Sequence, residues 1–338
     1  MKKNKTDKLN KRICFLSALL CVILCAGLLS GCGKSGDEEE STGTLADENE
    51  TEMNDNAIIT TVEWNGKTYK YNSDLINILF LGIDNTDLIS AEDIVPGASG
   101  QSDCIILLSL NTETEQATIL QINRNTMTSI DIYEIGGSYS RSITAQLCLQ
   151  YAYCTGGAKS CRAVVTTVSE LLYGLDIDGY FALDIEGLPE INDALGGVYV
   201  TCSYDYTYLD ESYTEGATVY LEGEAAQKFV QYRDITEFNS VEGRMYRQVD
   251  YVSALLTTMD SSSGSDLYEL LSPYLDTYVV TDLTAEELKA MKNYEYLTDS
   301  VLYLPGETTE GEEYEEYYVD EEELQNLIIE TFYVEVED

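Results

Sequence analysis

The chain has 338 residues, 44% of them apolar, which is enough for one large or two ordinary domains with a sizeable core. Its charge is lopsided: 19 basic residues stand against 61 acidic ones, a net −42 that repels nucleic acid and anionic lipid headgroups and argues against a DNA-binding role. Histidine is absent, which excludes histidine-based triads and leaves oxygen or thiolate as the ligands of any metal.

Lys2, Lys3, Lys5, Lys8, Lys11 and Arg12 precede an apolar segment over 13–29, followed by Leu29-Ser30-Gly31-Cys32. A basic start, an apolar core slightly short of the roughly 20 residues of a spanning helix, and small residues before a cysteine describe a secretory signal ending in a lipobox. On this reading 1–31 is a signal peptide, and Cys32 becomes an acylated N-terminus, as in bacterial lipoprotein precursors. An uncleaved signal anchor is the other arrangement that fits. Either places the body outside the cytoplasmic membrane, and a diacylated Cys32 would hold it at the outer face. Residues 32–56 are acidic, polar and nearly free of large apolar groups, which predicts a disordered tether, with one folded domain over 57–338.

Residues 57–72 alternate apolar and polar groups about Asn65-Gly66, a hairpin signal. Three apolar runs follow, at 78–81, 104–110 and 117–122, each too short for a helix and rich in Ile and Leu, so they predict buried strands. Polar groups mark their ends: Asp84 follows the first, Ser102-Asp103 precede the second, and Arg124 follows the third. Antiparallel pairing of the second and third runs through the turn at 111–116 brings Asp103 beside Arg124 at one sheet edge. Between the first two strands, 85–101 reads as a loop.

From 144 the pattern predicts helices over 145–153 and 160–173, the second carrying Val164, Val168, Leu171 and Leu172. A strand over 180–185, a short helix over 188–195 stopped by Gly196-Gly197, and a strand over 198–202 come next. The Tyr-, Thr- and Asp-rich stretch 204–220 predicts a loop over the site. A helix opens at 221–225, and another over 242–259 carries Arg244, Arg247 and Gln248 beside a stripe of Met245, Val249, Val252, Leu256 and Met259. That stripe is either core or one wall of a lipid groove. Thr284-Ala285-Glu286-Glu287 is a capping box opening a helix to 293, a solvated edge strand and acidic helix start cover 311–323, and a helix covers 320–332.

Beyond Cys32 the cysteines are Cys104, Cys148, Cys154, Cys161 and Cys202. Their spacing fits no common zinc pattern, Cys104 sits inside an apolar strand, and an extracytoplasmic setting permits a disulfide among Cys148, Cys154 and Cys161. Only six arginines lie beyond the signal, three of them within 233–247.

The order of these motifs resembles the LytR-CpsA-Psr family between about 75 and 256. Gly82-Ile83-Asp84, Ser102-Asp103, Asn123-Arg124-Asn125-Thr126, the DALGGV of 193–198, the LEGEA of 221–225 leading to Arg233, and Arg244, Arg247 and Gln248 carry the likeness. The resemblance implies a three-layer α-β-α fold, α/β in class, with a central mixed sheet flanked by helices. It implies a phosphotransferase that moves a glycopolymer, such as teichoic acid or capsular polysaccharide, from a polyprenyl-pyrophosphate carrier onto peptidoglycan. Asp84 and Asp103 would then hold Mg²⁺, and Arg124, Arg233, Arg244 and Arg247 with Gln248 would clamp the pyrophosphate. Asp103, Arg124 and Arg244 would carry catalysis, and either aspartate could instead take the acceptor's proton. Gln101, Asn125 and Gln231 stand where the family pattern has charged residues, which keeps open a second reading, a lipid-pyrophosphate-binding surface lipoprotein without turnover.

Overall fold

The computed structural model describes residues 61–84, 88–234, 236–261, 267–311 and 314–336. The signal, the tether and Cys32 lie outside the described residues. No helix among those described is long and apolar enough to cross a membrane.

Strands β1 (Thr61–Trp64) and β2 (Lys67–Tyr71) form the expected hairpin, with Asn65 and Gly66 at φ 50° and 76°, the left-handed pair that its two-residue turn needs. The three apolar runs become β3 (Leu75–Asp84), β4 (Gln101–Asn111) and β5 (Gln116–Gln121), paired antiparallel in that order. Every residue from Cys104 to Leu110 is buried, which is why β4 reads as a continuous apolar run rather than an alternating one. A hairpin of β6 (Met127–Tyr133) and β7 (Tyr139–Gln146) follows, then α1 (Leu149–Ala152) and α2 (Gly157–Leu171). The chain continues through β8 (Gly179–Asp184), α3 (Leu188–Ala194), β9 (Val198–Thr201), β10 (Thr218–Leu221), α4 (Glu224–Gln231) and α5 (Ser240–Ser261). It closes with α6 (Leu267–Leu271), β11 (Val279–Thr281), α7 (Ala285–Ala290), β12 (Glu295–Tyr296), β13 (Leu302–Tyr303), β14 (Gly306–Glu310), β15 (Glu315–Val319), α8 (Glu321–Phe332) and β16 (Tyr333–Glu335).

The central sheet has seven strands in the order β11-β8-β3-β4-β5-β12, with β13 also on β5. It is mixed, because β8 runs parallel to β3 while β4 runs antiparallel to both its neighbours. Alternate residues of these strands feed two separate cores. Ile106 and Leu108 meet Phe229 of α4 and Val249, Val252 and Leu256 of α5 on one face. Leu79, Leu81, Ile105 and Leu107 meet Val164 and Val168 of α2 and Ile328 and Phe332 of α8 on the other. The architecture is the three-layer α/β sandwich of the sequence reading, and each fully buried aliphatic or phenyl side chain contributes about 1.5–3 kcal/mol to holding the layers together.

Several helix signals are realised in detail. Gly196 and Gly197, at φ 84° and 81°, end α3, and Thr284 with Glu287 makes both hydrogen bonds of the capping box. Three expectations are corrected. Instead of a helix over 145–153, β7 runs to Gln146 and only Leu149–Ala152 is helical. The stretch 204–220 is not a loop over the site: its end is strand β10, and Ser203 and Tyr206 bond Asp250 on α5, away from the cavities described below. All five described cysteines are free and buried, so the permitted disulfide is not formed.

Candidate functional site

The polar ends of the central strands converge. Because β4 and β5 are antiparallel with Ile106 opposite Gln121, the third residue past the end of β5 comes to lie beside the third residue of β4. Arg124 Nε sits 2.9 Å from Asp103 Oδ1, an ion pair out of line for a hydrogen bond. The turn that carries Arg124 is fixed by Asn123, whose Oδ1 accepts from the Asn125 N–H at 2.9 Å and whose carbonyl accepts from Thr126 Oγ1 at 2.6 Å. From the other side, α5 delivers Arg244, whose Nη1 donates to Asp103 Oδ2 at 2.8 Å. Asp103 is therefore held between two guanidinium groups, each with a side chain that is 11% exposed or less.

Arg244 has donors to spare. Its Nε and Nη2 are buried without a hydrogen-bond partner, and so is Oε1 of Gln248, one turn further along α5. Gln248 Nε2 makes only long contacts, 3.4 Å to Asp103 O and 3.5 Å to Val230 O. Buried donors are costly when left unmet, and a ligand rich in oxygen would satisfy them.

These groups stand at the junction of two cavities. A narrow apolar slot is walled by Phe80, Gly82 and Ile83 of β3, Cys104 of β4, Leu183 of β8, Leu188 of α3, and Tyr251, Val252 and Leu255 of α5. Gly82 is required there: a Cβ at this position would lie 2.8 Å from Cys104 Cβ, where the β3–β4 register also shifts. An open polar cleft of about 560 Å³ is lined by Asp84, Ser99, Gly100, Gln101, Asp103, Arg124, Arg233 and Arg244. Asp84, Asp103, Gln231 and Arg244 line both, so the slot opens into the cleft through them. Three arginines of a chain with net charge −42 face this one cleft.

Each residue singled out from the sequence can now be placed. Asp84 is exposed at the mouth, and its carboxyl is pushed above the usual aspartate range by desolvation first and by the Asp103 charge second, with Arg244 and Arg124 pulling it back. Two carboxylates facing one cleft with such repulsion suit a bound cation. Among the described residues no cluster of three or more Cys, Asp or Glu is built to hold a metal, and the carboxylates that line the cleft are Asp84 and Asp103. Arg233 reaches the cleft with its Nη2 on Glu315 Oε2 at 3.0 Å and its Nε on Ser240 Oγ at 2.9 Å. Cys104 is buried core, as expected, and also faces the slot. The α5 stripe divides: Val249 and Leu256 pack in the core, while Val252 also walls the slot.

Arg247 is the exception. It is 2% exposed and faces neither cavity. Its Nε donates to Phe229 O at 2.7 Å, its Nη1 to Gly243 O at 2.9 Å and to Tyr208 Oη, and its Nη2 to Tyr232 O, while the rings of Tyr206 and Tyr208 flank it at 5.7 and 5.5 Å. Four of its five N–H groups are spent on tying α5 to the end of α4, and in this structure Arg247 stands outside the cleft where a pyrophosphate clamp was expected. Of the three neutral positions, Asn125 is buried outside the cleft and accepts from Gln146 Nε2 at 3.2 Å, whereas Gln101 and Gln231 do face it.

One buried acid near the site was not singled out. Asp184, at the end of β8 beside Ile83, is 3% exposed and accepts from the Glu186 N–H at 3.1 Å. Burial pushes its carboxyl up to about 6, with that hydrogen bond opposing. Because the folded value is raised, its contribution to stability is complete below the ordinary aspartate range and is lost as pH rises through about 6. Urea unfolding should therefore show wild type losing about 2–3 kcal/mol between pH 4 and 7 that Asp184→Asn does not lose. Parallel pH profiles for the two proteins would refute this.

The model of the LytR_cpsA_psr family matches residues 34–331. A protein of Oceanobacillus iheyensis named polyisoprenyl-teichoic acid–peptidoglycan teichoic acid transferase TagU is 28% identical over 262 residues, covering 75% of this chain and 74% of that one. Among solved structures, B. subtilis TagV is similar with a TM-score of 0.56 at 21% identity, over 77% of this chain and 97% of that one. TagT bound to LIIa-WTA is similar with a TM-score of 0.53 at 21% identity, over 76% and 89%. At such identities the structural likeness speaks to the fold.

Proposed function

Because this chain belongs to the LytR_cpsA_psr family, we propose that it is an extracytoplasmic phosphotransferase that moves a glycopolymer from a polyprenyl-pyrophosphate carrier to peptidoglycan. The observation that carries this reading is the slot and cleft meeting at Arg244 and Asp103: a greasy channel ending at spare guanidinium donors matches a molecule that is a lipid at one end and a pyrophosphate at its centre. The name of the TagU relative and the WTA-bound TagT agree with it.

In this account the prenyl chain lies against Leu183, Val252 and Leu255, and the pyrophosphate lies across Arg124 and Arg244, with Arg233 at the rim. The acceptor hydroxyl forms a bond to the phosphorus that bears the polymer, the bridging P–O bond breaks, and polyprenyl phosphate leaves. Arg124 and Arg244 stabilise charge on the phosphoryl oxygens, and Asp103 keeps both guanidinium groups in register. Asp84, which pairs with no arginine among the described residues, would receive the acceptor's proton in the alternative in which it holds no Mg²⁺. Mg²⁺ on Asp84 and Asp103 would neutralise pyrophosphate charge, since that ion is commonly held by one or two carboxylates plus phosphates. Cys32 would anchor the body to the outer face of the membrane.

The test is transfer itself. Purified protein, labelled lipid-linked oligosaccharide, peptidoglycan and Mg²⁺ should yield labelled peptidoglycan, and chelation should abolish it. Tight donor binding with no labelled product would favour the binding protein without turnover. Product that survives chelation would remove Mg²⁺ from the account.

A further inference from the structure

Arg124 is held at more than one point, and one of its holders is a thiol. Cys148, 0% exposed at the start of α1, places Sγ 2.9 Å from Arg124 Nη2 and 3.6 Å from Gln101 Oε1. Gln101 Oε1 also accepts directly from Arg124 Nη2. The backbone of Cys148 joins the same pieces: its N–H donates to Arg124 O at 3.0 Å, and its carbonyl accepts from the Ser102 N–H at 3.2 Å. One residue thus binds the turn bearing Arg124 to the strand bearing Asp103.

We propose that the Cys148 thiol and the Gln101 amide form a positioning pair that fixes the Arg124 guanidinium toward the cleft. The chemistry of both groups fits. Burial pushes the Cys148 thiol up to about 11, against the pull of Arg124, so at neutral pH it stays S–H, donating to Gln101 Oε1 while its lone pairs face Nη2. Gln101 supplies the acceptor oxygen, which an arginine at that position could not. With Nε on Asp103 and Nη2 between Cys148 and Gln101, the guanidinium plane is set before any ligand arrives. Groups that only orient a contacting residue commonly change activity 10–100-fold when removed, and a displacement of about 1 Å is enough.

The proposal rests on the transferase reading for its consequence but not for its geometry, so the experiment has two readouts. The first is the side-chain ¹⁵N spectrum of Arg124 in the free protein. Wild type and Cys148→Ser should show a slowly rotating Nη2 group, and Cys148→Ala and Gln101→Ala should show it averaged. Cys161→Ala, which removes a buried thiol lining neither cavity, should leave it unchanged. The second is turnover. Cys148→Ala should lower kcat about 10-fold with KM within twofold, Cys148→Ser should restore most of it, and in an Arg124→Ala background Cys148→Ala should cost nothing further. An Arg124 signal unchanged by Cys148→Ala, or an equal further loss in the Arg124→Ala background, overturns the proposal. If wild type transfers no polymer while the Arg124 signal responds as stated, the positioning pair stands and the transferase reading falls.

Discussion

Arg124→Ala is expected to lower transfer about 10²–10³-fold, the effect of removing one preorganised donor from a charge-stabilising site. Its side chain is 11% exposed and already pinned by Asp103, Gln101 and Cys148, so its ordering costs nothing at the moment of reaction. The loss should fall on kcat rather than KM, because charge builds on the phosphoryl oxygens after binding. Stability should change little, since Asp103 keeps Arg244. Arg124→Lys should recover only part of the rate, as an ammonium keeps the charge without the planar fork. Steady-state kinetics with a lipid-linked donor decide the matter. A residual rate within fivefold of wild type would remove Arg124 from the chemistry.

Arg244→Met and Arg247→Met, three residues apart on α5, are expected to fail in opposite ways. Arg247→Met strands the carbonyls of Phe229 and Tyr232 and the hydroxyl of Tyr208, and should cost about 3 kcal/mol or more of stability. The fraction that folds should still bind donor. Arg244→Met leaves Asp103 its contact with Arg124 and relieves the burial of a cation, so stability should stay within about 1 kcal/mol while transfer falls at least 100-fold. Urea midpoints and turnover measured on the same preparations separate the two. Equal losses of both quantities in both variants would mean that the helix, not its individual arginines, supports the site.

The sheet was legible because its strands are buried on both faces and so appear as unbroken apolar runs, with polar residues only where a strand emerges. The meeting of Asp103 and Arg124 was legible for a related reason: a short connection between two antiparallel strands fixes the register, and register fixes which ends are neighbours. The β6–β7 hairpin was missed because residues 139–142 are exposed and carry no apolar alternation, although Gly136-Gly137, both at positive φ, marks its turn. Spacing on a helix gives relative angle but not the neighbour, so the sequence alone does not tell that Arg244 lines the cleft while Arg247 stands outside it. A step of three residues turns about 60° from the starting face, which is enough here to aim one guanidinium at β4 and the other at the end of α4. The Glu315 partner of Arg233 and the Cys148 contact with Arg124 were invisible for want of any local pattern, since each joins segments distant in sequence.

One ligand is expected to lie across both cavities, its lipid in the apolar slot and its pyrophosphate among the arginines. A crystal structure with a soluble short-chain polyprenyl pyrophosphate is the deciding measurement. It should show the pyrophosphate oxygens within hydrogen-bond distance of Arg124 and Arg244, the prenyl carbons against Val252 and Leu255, and the idle donors of Arg244 engaged. A ligand seated elsewhere, or a pyrophosphate in the cleft with its chain turned out to solvent, would contradict it.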